Sequence, residues 1–266
     1  ISRSIVPSII LAFLNIKNIL EIHTELTGFT KMFFWLVRFN KIHKNLKFIF
    51  INKYLRKKLK IKTNRSLILN DAVDYRDFKT KKISSIQNTC FYSGSFAKGK
   101  CLEIINKISL ELPNINFHLY GNENTAYDKS LINNKNSNVF FKGYLTYFNL
   151  VSTINHYKVL LMPYQKTVGV LINNLNVANY FSPLKMFDYL ASGKIILASN
   201  LPVYRNILKH NQNSILIKPE NISLWKKYII QSLKTSRNKL GKRAIKDAKK
   251  FSWEKRVDHV IVFSNG

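Results

Sequence analysis

Residues 180–193 read YFSPLKMFDYLASG, and the reading of the whole chain turns on this stretch. Ser182 is a good N-cap, and Pro183 suits the first helical position because its ring presets φ where no N–H partner is needed. Leu184, Phe187, Leu190 and Ala191 recur at helical spacing on one face. An ordinary amphipathic helix accounts for those apolar positions. It does not account for Lys185 in the first turn, where the helix dipole disfavours a cation. A lysine there becomes useful beside an anion such as phosphate. Asp188, one turn on, carries a carboxylate able to accept both hydroxyls of a ribose.

Outward from this helix the chain alternates short apolar runs with helical stretches. Residues 159–162 (VLLM) stop at Pro163, and residues 195–199 (IILAS) follow the helix almost at once. Upstream, residues 90–92 run into Gly94, 116–120 into Gly121 and 139–141 into Gly143. Helices are expected near 100–111, 148–155 and from about 222 to 263, with a last short strand at 214–217. This pattern predicts a parallel sheet covered on both faces. Ligands then bind outside the carboxyl ends of the strands. Residues 93–100 (SGSFAKGK) form one such loop. Gly94 and Gly99 let the backbone approach a ligand, and Lys98 or Lys100 can neutralise a diphosphate. Alone the loop is a common strand-to-helix turn, neither a P-loop nor a complete GxGxxG.

Residues 1–75 form a separate region: a strand at 19–22 ending at His23, another at 47–51, a basic helix at 54–60 and a short strand at 66–69. Residues 76–88 (RDFKTKKISSIQN) are polar, lack periodicity and suit a linker. A length of 266 residues fits one large or two modest domains. Cys90 and Cys101 are the only cysteines, a count that excludes a disulfide framework and offers no zinc-ligand spacing, as in a reducing compartment.

The chain carries 43 Lys+Arg against 14 Asp+Glu, a formal charge of +29. Such an excess suits an anionic membrane surface or nucleic acid. It is also spread along a chain rich in Lys, Asn and Ile, the pattern that compositional bias produces. No nucleic-acid-binding module is recognisable, so no specific nucleic acid is expected as a partner. No apolar run reaches the roughly 18–20 residues of a membrane-spanning helix. Residues 29–44 (FTKMFFWLVRFNKIHK) read either as a core helix or as a segment lying on an anionic membrane. With the basic helix at 54–60, they make a cytoplasmic protein, peripheral at the inner face of the plasma membrane, the expected location.

The motifs GSFAKG (94–99), FHLYG (117–121), NVFFKG (138–143), VLLMPY (159–164), SPLKMFDYLASG (182–193) and IILASN (195–200) occur in this order. Together they resemble the C-terminal, donor-binding domain of family-4 retaining glycosyltransferases (glycosyl transferases group 1). The closing FSWEKR (251–256), ILEIH (19–23) and NDAVD (70–74) extend the resemblance over nearly the whole chain. It implies an α/β fold of the GT-B type, two Rossmann-like domains with parallel sheets facing a cleft. Residues 1–80 would be a partial N-terminal, acceptor-side domain with its linker running to about 88. Residues 89–250 would be the donor-binding domain, and 251–266 a C-terminal helix packing back toward the first. The family's first N-terminal strand and its glycine-rich turn have no counterpart in this chain, which begins at Ile1, so it is expected to be a fragment.

The resemblance also assigns roles. Lys98 would touch the diphosphate, the amides of Leu184 and Lys185 would cradle it at the helix that Ser182 opens, and Gly94, Ser95 and Gly143 would belong to the same donor site. Asp188 would hold the ribose, where the family usually has Glu. His23 would be the catalytic-side residue facing the reacting sugar, although a lone histidine at a strand end more often serves structure. Glu21 and Glu25 would share its side of the strand. No metal and no cofactor are implied beyond the substrate, a UDP- or GDP-sugar, with a saccharide or lipid-linked acceptor as partner. Two departures stand out. Tyr180 occupies the place of the first Glu of the family's E-x7-E pair, and Ser95 that of a frequent Arg. The sequence supports no paired carboxylates for glycosidase chemistry. A non-catalytic binding protein or inactive fragment is the alternative to an enzyme, and a basic nucleic-acid-binding protein a more distant one.

Overall fold

The computed structural model describes residues 1–265 apart from 39, 79–83, 134, 170–175, 179 and 236–238. Among the described residues, short aliphatic and aromatic runs bounded by Gly, Pro or Asn build nine strands in two parallel sheets. The chain divides into two compact units. One comprises residues 1–72, 180–182 and 253–266, and the other residues 73–179 and 183–252.

In the first unit, β1 (Asn18–Ile22), β2 (Leu46–Phe50) and β3 (Ser66–Ile68) pair in sequence order, with Ile22 opposite Phe50 and Phe50 opposite Ile68. Helices α1 (Ile5–Phe13), α2 (Gly28–Trp35), α3 (Asn40–Asn45) and α4 (Lys53–Leu59) connect and cover them. Asn52 caps α4 by accepting from the Leu55 amide. Residues 29–35 do not behave as a core helix. No residue of α2 is buried, and Phe29, Met32 and Trp35 are 78, 59 and 56% exposed. Phe34 packs edge-on to Phe48 at 5.8 Å, but the helix turns most of its other apolar surface to solvent. Position 39 of that stretch lies outside the described residues.

The second unit holds β4 (Thr89–Ser93), β5 (Asn116–Tyr120), β6 (Val139–Phe141), β7 (Val159–Met162), β8 (Ile195–Ser199) and β9 (Ile215–Ile217). Their order is β6-β5-β4-β7-β8-β9, all parallel. Every residue of β4, β7 and β8 is buried, as expected for central strands covered by helices on both faces. Those helices are α5 (Leu102–Glu111), α6 (Ser130–Asn133), α7 (Tyr147–Ile154), α8 (Leu184–Ser192), α9 (Ile222–Lys234) and α10 (Lys239–Ala248). The last helix, α11 (Trp253–Asn265), belongs to the first unit, where Lys47 Nζ donates to the Phe263 carbonyl at 2.9 Å.

The strand order runs one way from β4 and the other way from β7. In open α/β sheets such a reversal is where a ligand crevice forms, at the carboxyl ends of the two neighbours. Of the expected linker, residues 79–83 lie outside the described residues. Its flanks are tied to the second unit: Phe78 is buried edge-on to Tyr147, Tyr147 donates to Asp77 at 2.8 Å, and the Ile86 amide donates to the His156 carbonyl. Among the described residues no helix is long and apolar enough to cross a membrane.

Candidate functional site

The crevice between β4 and β7 is where Lys185 ends. Helix α8 begins at Leu184, one residue later than the Ser182 cap implies, and Pro183 holds the cap position with φ −76° and ψ 112°. Proline fixes φ but not ψ. Its extended ψ delays the helix, so the Ser182 hydroxyl does not cap it. The Met186 amide bonds the Pro183 carbonyl at 2.9 Å, leaving the amides of Leu184 and Lys185 ahead of any intrahelical acceptor.

From this first turn Lys185 reaches back over the sheet. Its Nζ lies 3.7 Å from the Tyr92 ring centroid and 5.2 Å from that of Tyr164, so the rings at the ends of β4 and β7 form its walls. The fit explains Gly94, which has φ +136°: a Cβ there would sit 2.4 Å from Lys185 Nζ. The ammonium is buried and has no hydrogen-bond partner in the protein. Burial pushes its pKa well below the ordinary value, with the Lys100 charge adding to that and the Cys101 thiol and Asp188 opposing it. A desolvated cation without a hydrogen-bonded counter-ion is costly, and an incoming anion would relieve the cost.

Asp188, one turn along α8, responds in the opposite sense. Burial raises its pKa to about 7, against the pull of Lys185. The half-buried carboxyl thus stands near the midpoint of its titration at neutral pH.

The 93–100 loop supplies the rest of the rim. Ser95 Oγ accepts from Lys100 Nζ at 2.6 Å, and the Ser95 carbonyl accepts from the Tyr92 hydroxyl at 2.8 Å. Burial lowers the Lys100 pKa. Lys98 is exposed, and its carbonyl accepts from the Gly169 amide at 2.9 Å. Gly94 and Gly143 are joined through the strand ends: the Gly94 amide donates to the Tyr120 carbonyl, and the Gly121 amide to the Gly143 carbonyl. Gly94, Ser95, Leu184, Lys185 and Asp188 therefore cluster about one crevice, with Gly143 two strands away. The walls Tyr92 and Tyr164 and the Lys100–Ser95 contact were not singled out from sequence. Their only signal was position, at the ends of strands.

His23 belongs to the first unit, just past β1. Its Nε2 lies 2.7 Å from Glu21 Oε1, and Arg256 of α11 makes a short contact with the same carboxylate oxygen. Burial raises the Glu21 pKa, but the His23 hydrogen bond and the Arg256 charge outweigh it and leave the carboxyl at about 2. Glu25 does not join this group. The strand has ended at Ile22, so the alternation no longer applies, and Glu25 accepts from Tyr54 and pairs with Lys58. Tyr180 stacks on Tyr54 at 6.1 Å, while its carbonyl accepts from Asn52 Nδ2 at 2.7 Å. A buried tyrosine thus stands where the family pattern has a carboxylate.

The Glu21 arrangement gives a stability prediction. A carboxyl with a depressed pKa contributes stability that is present above its unfolded value of 4.5 and lost as pH falls through about 2. Glu21→Gln is expected to destabilise the protein by about 2 kcal/mol at pH 7 and to flatten the stability profile between those pH values. Chemical denaturation of both proteins across that range measures it, and an unchanged acid limb would exclude Glu21 as its source.

Two parallel-sheet units, the larger with a strand-order reversal between β4 and β7, make an α/β architecture of the GT-B type. The profile of one family, glycosyl transferases group 1, matches residues 76–251, and the chain belongs to that family. Among solved structures it is similar to TarM, with TM-score 0.70 and 17% identity over 94% of this chain and 50% of that one. It is likewise similar to HepE from Anabaena in complex with UDP-glucose, with TM-score 0.75 and 11% identity over 97% and 75% of the two chains. For the sucrose-phosphate synthase of Thermosynechococcus elongatus the values are 0.69 and 14% over 93% and 67%. The chain thus spans half the length of TarM. No curated protein matches it.

Proposed function

We propose that the protein transfers a sugar, with retention and without a metal, from a nucleotide-diphosphate donor to a saccharide or lipid-linked acceptor, as a family-4 glycosyltransferase of envelope glycan synthesis. The observation that carries this reading is the buried Lys185 ammonium with no partner of its own at the switch point. A diphosphate there would be met by that ammonium, by the first amides of α8 and by Lys98 and Lys100 from the glycine loop. As the bond from the anomeric carbon to the diphosphate breaks, these groups stabilise the charge that develops on the leaving oxygen. The acceptor hydroxyl forms the new bond on the same face and gives its proton to that oxygen. His23, oriented by Glu21, is assigned to the transferred sugar, and Asp188 to the ribose. UDP is favoured as the nucleotide because HepE is similar in fold and holds UDP-glucose. Exposed Phe29, Met32 and Trp35 on α2, in a chain of charge +29, support a peripheral location at the inner membrane face.

The test is calorimetric titration of UDP-glucose, whose diphosphate does not ionise near neutrality. Binding requires the Asp188 carboxylate and the Lys185 ammonium together. Affinity is therefore expected to fall as pH drops through about 7 and to decline again as pH rises through the depressed pKa of Lys185. Asp188→Asn should weaken binding roughly ten- to hundredfold and remove the acid limb. Undiminished binding by the variant would dismiss Asp188 as the ribose ligand.

A further inference from the structure

A second concave site lies in the same unit, beyond the outer strands β8 and β9 and separate from the Lys185 crevice. It is a cavity of about 660 Å³, within the size range of small-molecule pockets. Arg205, Lys209, His210 and Lys218 line it together with Asn200, Gln212, Asn221 and Tyr228. Among the described residues that line it there is no carboxylate. The nearby Glu220 is paired with Lys166.

The basic side chains stand on a fixed loop. The Asn200 amide donates to the Ile217 carbonyl at 2.7 Å. Asn213, fully buried, accepts from the Lys209 amide at 2.7 Å and donates to the Ile207 carbonyl and to Asp247 Oδ2 at 3.0 and 3.1 Å. Arg205 Nε donates to Asn200 Oδ1 at 2.8 Å, which pins the guanidinium and leaves its two outer nitrogens as a fork suited to phosphate. His210 Nδ1 accepts from the Leu216 amide at 3.0 Å, so Nε2 is the ring's donor. The Tyr228 ring meets His210 edge-on at 6.3 Å.

We propose that this cavity binds a phosphorylated saccharide. The guanidinium fork and the Lys218 ammonium take the phosphate, the Asn200, Gln212 and Asn221 amides take sugar hydroxyls, and Tyr228 offers a flat wall to a ring. Such a ligand could be a free sugar phosphate or a phosphate-bearing glycan chain. The concavity suits one or two residues of it better than a membrane surface or a duplex. The proposal rests on these residues alone and stands whether or not Lys185 binds a donor.

Calorimetry on the full chain in saturating UDP decides it, with glucose 6-phosphate, a phosphorylated mannan, glucose, inorganic phosphate and a single-stranded RNA as probes. The sugar phosphates are expected to bind more tightly than glucose or phosphate. The double variant Arg205→Gln/Lys218→Gln should lose about tenfold or more of that affinity with its melting temperature unchanged. A preference for the mannan over glucose 6-phosphate assigns the site to a glycan chain, and the reverse to a free metabolite. Binding no better than inorganic phosphate, binding unaffected by the double variant, tighter binding of RNA, or no binding would each overturn the proposal.

Discussion

Lys185→Met is expected to weaken UDP binding by roughly thirtyfold or more while making the unliganded protein more stable. The two effects share one cause. In the free protein the Lys185 ammonium lies between the Tyr92 and Tyr164 rings without a hydrogen-bond partner, so an isosteric apolar side chain removes a desolvation cost. Replacing buried charge by apolar groups is often stabilising, and a gain of about 1 kcal/mol corresponds to a rise of roughly 2–4 °C in Tm. A bound diphosphate reverses the balance. Loss of one partner of a buried, charge-assisted contact costs about 2–5 kcal/mol, or roughly thirtyfold to several thousandfold in affinity. The pH dependence follows from the depressed Lys185 pKa. Between its folded value and the unfolded 10.5, the unfolded chain binds more protons than the native one. Wild-type stability therefore rises with pH through that window on this account, and the Lys185→Met protein lacks that rise. Thermal shift with and without UDP reads both effects. A variant that is less stable yet binds UDP undiminished would remove Lys185 from the donor site.

Such a site was only partly legible in the sequence, and the division has physical reasons. The strands Asn116–Tyr120, Val139–Phe141, Val159–Met162 and Ile195–Ser199 are readable to the residue, because each is a short, mainly apolar run cut off by Gly, Pro or Asn. Helix α8 is readable as a helix, but its first residue depends on the ψ of Pro183, which a proline does not dictate. Lys185 and Asp188 stand out because a cation in a first turn contradicts the helix dipole. What closes around Lys185 does not stand out. Tyr92 and Tyr164 come from two strands that become neighbours only when the sheet reverses between β4 and β7. The same limit left the reading of α2 open between a core helix and a surface segment. Phe29, Met32 and Trp35 have the composition of a core, but composition does not specify what packs against a face. The Glu21–His23 contact follows from strand alternation, whereas Arg256, far along the chain, does not.

Gly99→Ala is expected to destabilise the second unit by about 3–5 kcal/mol, combining overpacking with left-handed strain. Gly99 has φ +77°, and a Cβ there would lie 1.9 Å from the Thr167 carbonyl oxygen and 3.0 Å from its carbon. Both are backbone atoms, so no side chain can swing away. The turn is also knit to its surroundings on each side. The Gly99 carbonyl accepts from the Gln165 amide at 2.7 Å, the Gly99 amide donates to Glu103 Oε1 at 2.8 Å, and the Gly169 amide donates to the Lys98 carbonyl. Moving residues 165–169 away to admit a methyl group would stretch the first and last of these bonds together. Gly143 is the matched comparison, since its φ is also +77° but nothing lies within 4 Å of its Cβ position. Gly143→Ala should cost only the conformational part, about 1 kcal/mol, so the difference between the two variants isolates the clash. A drop in Tm of roughly 10 °C for Gly99→Ala, against a few degrees for Gly143→Ala, is the expected pair of readings. Equal losses would mean that the 98–99 turn and the 165–169 loop are not packed as closely as described. The same packing sets the position of the Lys98 backbone, so Gly99→Ala should weaken UDP binding at temperatures where the variant is still folded, and Gly143→Ala should weaken it less.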